Sequence, residues 1–486
     1  MAVRLPIPAV SRVAQGNPQV YPPTQPAPVE VMPIDLAMAW QLAARQNPTI
    51  GWARQVVQER MANLLQARVI AVPSLNAGTT AHFHNGSVES ADGNVMTVPG
   101  QASLYVGGGA AVAAAGTVNI PAVSIFAPVA DVIYQPLAAR QFVAASRYDV
   151  RATFNSILLD VSTQYLELVG AEAWFAALRH SEFDMAEIVR ATLAFAEAGQ
   201  GRESDANRAR SEALLLRARV QAAEGDIAVA AARLSKLLQL NPSVALRAPG
   251  RPLAIVTLVN PNEPLESLVE TAIRFRPELG ARSSEVSAAE VRYRQERMRP
   301  LLPTMSMGFS SGTFGGGSAL VDPTYGSFSG RNDFDVMALW TLQNAGMGNV
   351  SLWRQRRAEV GQSVANRIRM LNQVRREVAS AQADCAARRR EVEFAILQLR
   401  TAELGFVEEV RRARGGEGLP IEALNLIDLL VDAREDLIRA TVAYNQAEFR
   451  LFVALGWPPI VAVPTSPPQE VPNTTRTSVA EPLAAP

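Results

Sequence analysis

The clearest pattern in this chain is a helical recurrence of apolar residues near its C-terminal end. Between Pro420 and Gly456 there is no other Pro or Gly, and apolar residues recur mostly three, four or seven positions apart. This spacing places them on one face of an α-helix, and it predicts one helix of roughly 37 residues, about 55 Å long. The apolar positions are Leu424, Ile427, Leu430, Val431, Leu437, Ile438, Val442, Phe449 and Phe452.

A longer helix is predicted immediately upstream. The segment 350–414 lacks Pro, contains two isolated Gly residues and is rich in Arg, Glu, Gln and Ala, a composition that favours helix. Its roughly 65 residues would extend nearly 100 Å at the helical rise of about 1.5 Å per residue. Gly415, Gly416 and Gly418 then break the helix, so the two helices form a hairpin.

The same hairpin is predicted earlier in the chain. A helix over about 137–198 is broken at the sequence AGQGRESD, resumes over 206–240 and is ended by Asn241 and Pro242. Two helices of such length in each half favour an extended molecule in which helices pack side by side.

The short helices in front of the two hairpins also correspond, and the chain is therefore a tandem repeat. Leu36 matches Leu265, Pro48 matches Pro277 and Gly51 matches Gly280, each pair 229 positions apart. The Pro-rich ends are predicted to be disordered or extended. The predicted organisation is an arm at 1–33, a first repeat at 34–242, a linker at 243–262, a second repeat at 263–457 and a tail at 458–486.

Alternation with a period of two, typical of a strand, follows the short helices of each repeat. It covers Leu75 to Phe83 in the first repeat and Met305 to Phe309 in the second. A second strand is predicted at 123–129 and at 334–340, after Gly- and Ser-rich loops at about 85–117 and 312–331. Four strands are too few to close a barrel, for which about eight is the smallest usual number. Several chains must therefore contribute, and three would give twelve strands.

Composition narrows the functional classes. The formal net charge is zero, and no basic run with interleaved aromatic residues indicates nucleic-acid binding. No apolar window is long enough for a membrane helix, and the N-terminal residues lack the continuous apolar segment of a secretory signal. Cys385 is the only cysteine, which excludes a disulfide framework and favours a buried or groove-facing thiol.

Candidate catalytic chemistry is sparse. His82 and His84 are two apart on a predicted strand and have two interpretations, a metal site or polar side chains facing a channel. The Gly-rich segment 107–111 lacks the Lys-Ser/Thr ending of a phosphate-binding loop. We therefore expect no enzymatic activity, no cofactor and no resident metal.

The order short helix, Pro, strand, loop, strand, very long helix, Gly-rich tip and return helix, present twice, resembles the TolC-like outer-membrane efflux family. The resemblance extends over about 33–459. It rests on the motifs NP at 47–48, VPSL at 72–75, GQGRESDANRARSE at 199–212, LLPTMSMG at 301–308 and LIRATVAYNQAEFRLFVALG at 437–456.

The resemblance implies a mainly α-helical fold with a β-structured membrane part. Tandem long helical hairpins from three chains would form a helical barrel across the periplasm. A twelve-stranded β-barrel in the outer membrane, with four strands per protomer, would continue it. The implied function is the exit channel of a tripartite efflux pump, and the implied partners are a periplasmic adaptor, an inner-membrane pump and outer-membrane lipid. The alternative is a soluble coiled-coil scaffold, which leaves the paired apolar strands unexplained.

The resemblance also implies site residues. A gap-free count back from Gly456 places the family's two acidic pore-ring positions on Glu422 and Asn425. Asn425 carries no charge, so cation selectivity should be weaker or involve Asp428. Asp205 matches the tip residue that holds relatives closed. The alternative for Glu422 and Asp205 is a helix cap.

Two further expectations concern the tips. The residues that match the expected partners of Asp205 are Ala413 and Gly418, which cannot serve, so Arg412 or Arg414 would have to replace them. The tips are also the expected adaptor contact, formed by Gly199, Gly201, Arg202, Glu203, Ser204, Gly416, Glu417, Gly418, Leu419 and Pro420.

Overall fold

A computed structural model describes residues 31–111, 118–241, 243–250, 253–318, 327–415, 418 and 420–461. The predicted arm as far as residue 30 and the tail beyond residue 461 lie outside them. The described residues form eight α-helices: α1 Leu36–Gln46, α2 Pro48–Arg68, α3 Val129–Glu197, α4 Glu203–Leu238, α5 Leu265–Phe275, α6 Pro277–Met298, α7 Met347–Gly415 and α8 Pro420–Ala454.

The two hairpins predicted from the sequence are present, and they are nearly equal in size. Helices α3 and α7 have 69 residues each, and their return helices α4 and α8 have 36 and 35 residues. At about 1.5 Å per residue each long helix extends roughly 100 Å. In the described part of the chain, no helix has both the length and the apolar character needed to cross a membrane.

Helix α3 begins earlier than the sequence predicts. The predicted start near residue 137 is wrong, because α3 begins at Val129 and Pro136 lies inside it. A proline inside a helix normally weakens the turn before it. Here that turn is supported from outside, since the Asp131 carboxylate accepts hydrogen bonds from Gln295 at 2.8 Å and from Arg299 at 2.7 Å.

In the described residues, nine strands accompany the helices. They are β1 Val31–Pro33, β2 Ser74–Leu75, β3 Ala77–Glu89, β4 Val95–Ala111, β5 Val118–Pro121, β6 Val123–Pro128, β7 Ala245–Arg247, β8 Thr304–Gly317 and β9 Ser327–Leu339. Strands β1 and β7 form a small parallel pair between the end of the N-terminal arm and the linker. The other seven strands form one sheet.

That sheet has four strand positions, as the sequence predicts, but it is taller than expected. Much of the loop predicted at 85–117 is strand β4, which pairs with both β3 and β8. Strands β4 and β6 occupy one position, because both pair with the same side of β8. Gly108 of β4 pairs with Ser311, and Val123 of β6 pairs with Phe309, two residues earlier in β8. The four positions are therefore β2 with β3, β4 with β6, β8, and β9.

A short excursion that includes β5 separates β4 from β6. Asn76 binds the end of this segment next to β6. The Asn76 backbone N–H donates to the Ala122 carbonyl at 2.7 Å, and Asn76 Nδ2 donates to the Pro121 carbonyl at 2.8 Å. Gly109 has φ +92°, and a Cβ there would lie 2.3 Å from the Ile120 carbonyl oxygen. Only glycine fits such a close backbone approach.

The two faces of the sheet differ in polarity. One face carries registered apolar rows across β6, β8 and β9, and its Phe334 side chain is 65% exposed in the single chain. On the other face Tyr105 is 1% exposed and Ser310 is 3% exposed, so the sheet curves around that face. The apolar rows are Val123–Phe309–Phe334, Ile125–Met307–Val336 and Ala127–Met305–Ala338.

The helical core lies where the short helices pack against the long ones. Trp40 of α1 is fully buried, its Nε1 donates to Ser162 Oγ of α3 at 2.9 Å, and its ring meets Phe449 of α8 edge-on at 6.0 Å between centroids. The linker is held along α8 by Glu448, which accepts from the Leu258 N–H at 2.9 Å.

Candidate functional site

The first hairpin turns within five residues, which leaves its backbone exposed at the far end from the sheet. The N–H groups of Gln200 and Gly201 both donate to the Phe195 carbonyl, at 3.0 and 2.9 Å. Gly199 adopts φ +72°, the left-handed conformation that commonly ends helices. Helix α4 then begins with Glu203, whose negative charge is favourable at a helix N-terminus.

The second tip is described only in part, since Gly416, Glu417 and Leu419 lie outside the described residues. Gly418 lies between the acidic side chains of the two helices. A Cβ on it would be 3.1 Å from Glu409 Oε1 and 3.5 Å from Glu422 Oε2. The structure thus brings a carboxylate from each helix toward one glycine, a proximity that the sequence analysis missed.

An acidic strip runs along the exposed side of α8, starting at this tip. It consists of Glu422, Asn425, Asp428 and Asp432, spaced three, three and four residues apart and all exposed. Such spacing keeps the side chains on one helix face. The three predicted pore-ring residues of α8 therefore lie together, as their spacing requires.

Helix α4 places a mixed-charge row beside the strip. Arg208 Nη2 donates to Asn425 Oδ1 at 3.1 Å. Partial burial of its carboxyl group, together with the neighbouring carboxylates of Glu212 and Asp432, raises the pKa of Asp428, while Arg219 and Arg208 oppose that rise. The sequence did not predict this row, which consists of Arg208, Glu212 and Arg219, although their spacing of four and seven residues marks one face of α4.

Among the described side chains, Asp205 is not paired with its candidate partner Arg412. Asp205 is half-buried in the first turn of α4, where its N–H donates to the Arg202 carbonyl at 3.0 Å. Arg412 instead forms an ion pair with Glu409, Nη1 to Oε2 at 3.0 Å. The side chain of Arg414 lies outside the described residues.

A buried apolar cluster holds the acidic strip in place. Leu424 and Ile427 of α8 are fully buried and pack with residues of α3 and α4. A polar link lies further along α8, where Arg434 Nη1 donates to Ser181 Oγ at 2.5 Å and lies 3.6 Å from Asp184 Oδ2. The two hairpins are thereby joined near their tips, so the relative positions of the tips depend on both.

The remaining candidates show no built site. His82 and His84 lie in β3, and among the described residues no three His, Cys, Asp or Glu side chains are grouped to hold a metal ion. Cys385 is buried in α7, and this burial, together with the charges of Glu448 and Asp384, raises the pKa of its thiol to about 12. A thiol with so high a pKa is not an effective nucleophile near neutral pH.

Solved structures of membrane proteins share this fold. A crystal structure of a membrane protein from Pseudomonas aeruginosa is 20% identical and covers 88% of this chain and 95% of its own, with a TM-score of 0.71. CusC is 17% identical over 88% and 93%, with a TM-score of 0.70. The outer membrane protein VceC from Vibrio cholerae is 16% identical over 87% and 96%, with a TM-score of 0.66.

These likenesses show that the chain has the TolC-like channel fold, which confirms the fold predicted from the order of its elements. No protein-family model matches the sequence, and no curated protein matches it. At such low identity the shared architecture is visible in the helices and strands rather than in individual residues.

Proposed function

We propose that this protein is an outer-membrane exit channel that works as a homotrimer in a tripartite efflux system. The observation that carries the proposal is the sheet of four strand positions, one face of which is apolar and exposed in the single chain. The sheet is continued by helices roughly 100 Å long. A contiguous exposed apolar face of this kind indicates contact with a partner or a membrane. In a scaffold protein the same face would be an aggregation risk.

The edges of the sheet support trimer formation. Among the described residues, β3 pairs only with β4 and β9 pairs only with β8, so each chain presents two strand edges without partners. Edges of this kind are satisfied when a barrel closes. Three chains with four strand positions each supply twelve strands, an even number typical of outer-membrane barrels.

The direction of the helices supports the proposed partners. With the sheet in the outer membrane, the tips reach about 100 Å away into the periplasm. An adaptor protein would meet them there and join the channel to an inner-membrane pump. The proposed contact surfaces are the two predicted tips, Gly199 to Ser204 and Gly416 to Pro420; in the second tip Gly416, Glu417 and Leu419 lie outside the described residues.

Docking at the tips can be tested with bulky substitutions. Gly201→Trp should abolish efflux while leaving the amount of trimer unchanged, because a Cβ there already lies 3.3 Å from the Ala196 nitrogen and the turn would have to move. Gly225→Ala in α4, where a Cβ meets nothing within 4 Å, is the control. Normal transport by Gly201→Trp would place the adaptor contact elsewhere.

The acidic strip is the proposed constriction. Three-fold symmetry would bring three copies of Glu422 around one axis, followed by Asn425 and Asp428 one and two turns further along α8. Carboxylates held close together raise each other's pKa and attract cations. Asp205, in the first turn of α4, is proposed to contribute to the same constriction.

Membrane fractionation tests the location. An integral channel should stay in the outer-membrane fraction after high-salt and alkaline carbonate washes and should be released by detergent. Release by carbonate alone would favour the scaffold alternative and contradict the channel.

A further inference from the structure

A cavity of about 450 Å³ lies where four helices approach the sheet. It is lined by the last turns of α2 and α6 and the first turns of α3 and α7, and its walls include Arg60, Phe142, Arg292 and Arg356. The acidic strip lies at the opposite end of the helices. The cavity is therefore separate from the proposed constriction and from the tips.

Two guanidinium groups meet over one aromatic ring in this cavity. The Cζ atom of Arg292 lies 4.7 Å from the centroid of Phe142, and that of Arg60 lies 5.9 Å from it. Cation–π contacts of this kind hold a guanidinium in place while leaving its N–H donors free. Arg60 and Arg292 are thus fixed with donors available to a ligand.

The neighbouring arginines of the cavity form ion pairs with carboxylates, whereas Arg60 and Arg292 do not. Arg356 donates to both oxygens of Glu359, at 2.9 and 2.8 Å. Arg299 binds Asp131 at 2.7 Å and Glu296 at 2.9 Å. Among the described residues, neither Arg60 nor Arg292 has a carboxylate within ion-pair distance.

The electrostatics of the cavity favour an anion. The charged groups in and next to the cavity are four arginines and three carboxylates, which leaves one positive charge per chain. The arginines are Arg60, Arg292, Arg299 and Arg356, and the carboxylates are those of Asp131, Glu296 and Glu359. Partial burial, together with the charges of Arg356 and Arg60, lowers the pKa of Arg292 against the effect of Glu359. Clustered cations in a concave site attract anions strongly.

Neutral donors complete the cavity wall. The side-chain amides of Asn63, Gln66 and Gln135 line it beside the two unpaired arginines. Each amide supplies two N–H donors, and Arg forms paired hydrogen bonds with carboxylate and phosphate oxygens. The wall is therefore rich in donors of the kind that bind oxyanions.

The order of the helices indicates the side of the helical layer on which the cavity opens. The helices adjoin one another in the order α2, α3, α6, α7, and side chains from all four converge on the cavity. Side chains from four adjacent helices in one layer can converge only on its concave side. In the proposed trimer this side faces the channel, so the ligand comes from the channel solution and not from lipid.

We propose that each chain carries a binding site for a carboxylate or phosphate group of a small solute, formed by Arg60 and Arg292 around Phe142. The three copies form a basic belt inside the channel just below the sheet. The substrates it favours are anionic. The binding site is a property of the single chain, while its place in a channel rests on the proposed function.

The test uses the full-length, detergent-solubilised protein and inorganic pyrophosphate as the probe, with binding measured by calorimetry. The paired substitution Arg60→Gln with Arg292→Gln should weaken binding about tenfold or more, because it removes both charged donors. Arg297→Gln is the matched control: it makes the same charge change on α6, is exposed and does not line the cavity. It should bind like the unmodified protein.

Three results would overturn the site: no pyrophosphate binding by the unmodified protein, equal binding by the paired variant, or an equal loss in Arg297→Gln. Conductance in planar bilayers separates this proposal from the channel itself. The paired variant should shift the reversal potential in a KCl gradient toward cation permeation, and an unchanged potential would contradict the belt. Pyrophosphate binding without any conductance would support the site and contradict the channel function.

Discussion

The two hairpins have nearly the same dimensions but different surroundings. Helices α3 and α7 both have 69 residues, because both connect the sheet to a tip. Helix α3 packs against α1, α2, α4, α6 and α8, whereas α7 packs against α5, α6 and α8 and lies at an edge of the chain. Helix length is therefore set by the distance between sheet and tip, and burial is set by position within the chain.

The edge position of α7 leaves apolar residues uncovered. Phe394, Leu397, Leu404 and Val407 are 56 to 70% exposed and share one face of the helix. The positions at the same distance from the start of α3 carry Ala176, Arg179, Ala186 and Val189. The apolar stripe thus belongs to the second hairpin, and in the proposed trimer we expect a neighbouring chain to cover it.

The largest effect is expected from breaking that stripe. Leu404→Asp should convert the trimer into monomers, since burying an unpaired carboxylate at an interface is strongly unfavourable. Ala186→Asp, the matched change on α3, should leave the trimer intact because Ala186 is exposed and outside the stripe. Cross-linking in mild detergent measures the difference. Monomers in both variants, or trimers in both, would contradict the asymmetry between the hairpins.

The short helices in front of the two hairpins also differ in burial. Trp40 and Val269 occupy equivalent positions in the two repeats, but Trp40 is fully buried and Val269 is only partly buried. Trp40→Ala should destabilise the protein by about 3–5 kcal/mol, and Val269→Ala should cost about 1 kcal/mol or less. Denaturant unfolding followed by helical circular dichroism checks both values, and similar losses would show that the repeats are energetically equivalent.

The smallest expected effect concerns charge at the tips. Glu422→Gln should weaken block of the channel by divalent cations severalfold, whereas Asn425→Gln, which leaves the charge unchanged, should do little. Planar-bilayer conductance measures the block. A loss of block in Asp428→Asn but not in Glu422→Gln would move the constriction two turns along α8.

The pH dependence of that block has a definite sign. A carboxyl group is charged above its pKa, and the pKa of Asp428 is raised. As the pH falls, Asp428 therefore loses its charge before a carboxyl group with the ordinary value does, and its share of the block disappears first. Asp428→Asn should remove this early part of the pH profile, and an unchanged profile would assign it to another group.

The sequence predicted those features that depend on local pattern. The hairpins follow from apolar spacing and from glycines at the breaks, and the repeat follows from matched prolines such as Pro48 and Pro277. Strand β4 was missed because its glycines hide the alternation; these glycines are needed where backbones approach closely, as at Gly109. The early start of α3 was missed because contacts from α6 stabilise the turn before Pro136.

The site was predicted less completely, for a physical reason. Spacing alone places Glu422, Asn425 and Asp428 on one face of α8. Their neighbours come from α4, more than two hundred residues away in the sequence, so Arg208 beside Asn425 is visible only after folding. The same holds for Arg60 and Arg292, which come from different repeats and meet at Phe142.

The mass of the detergent-extracted protein tests the central claim most directly, since the barrel, the constriction and the basic belt all require three copies around one axis. Multi-angle light scattering in mild detergent, corrected for bound detergent, should give three times the chain mass of 52.3 kDa. A mass of one or two chains, for protein that remains folded by circular dichroism, would contradict the account.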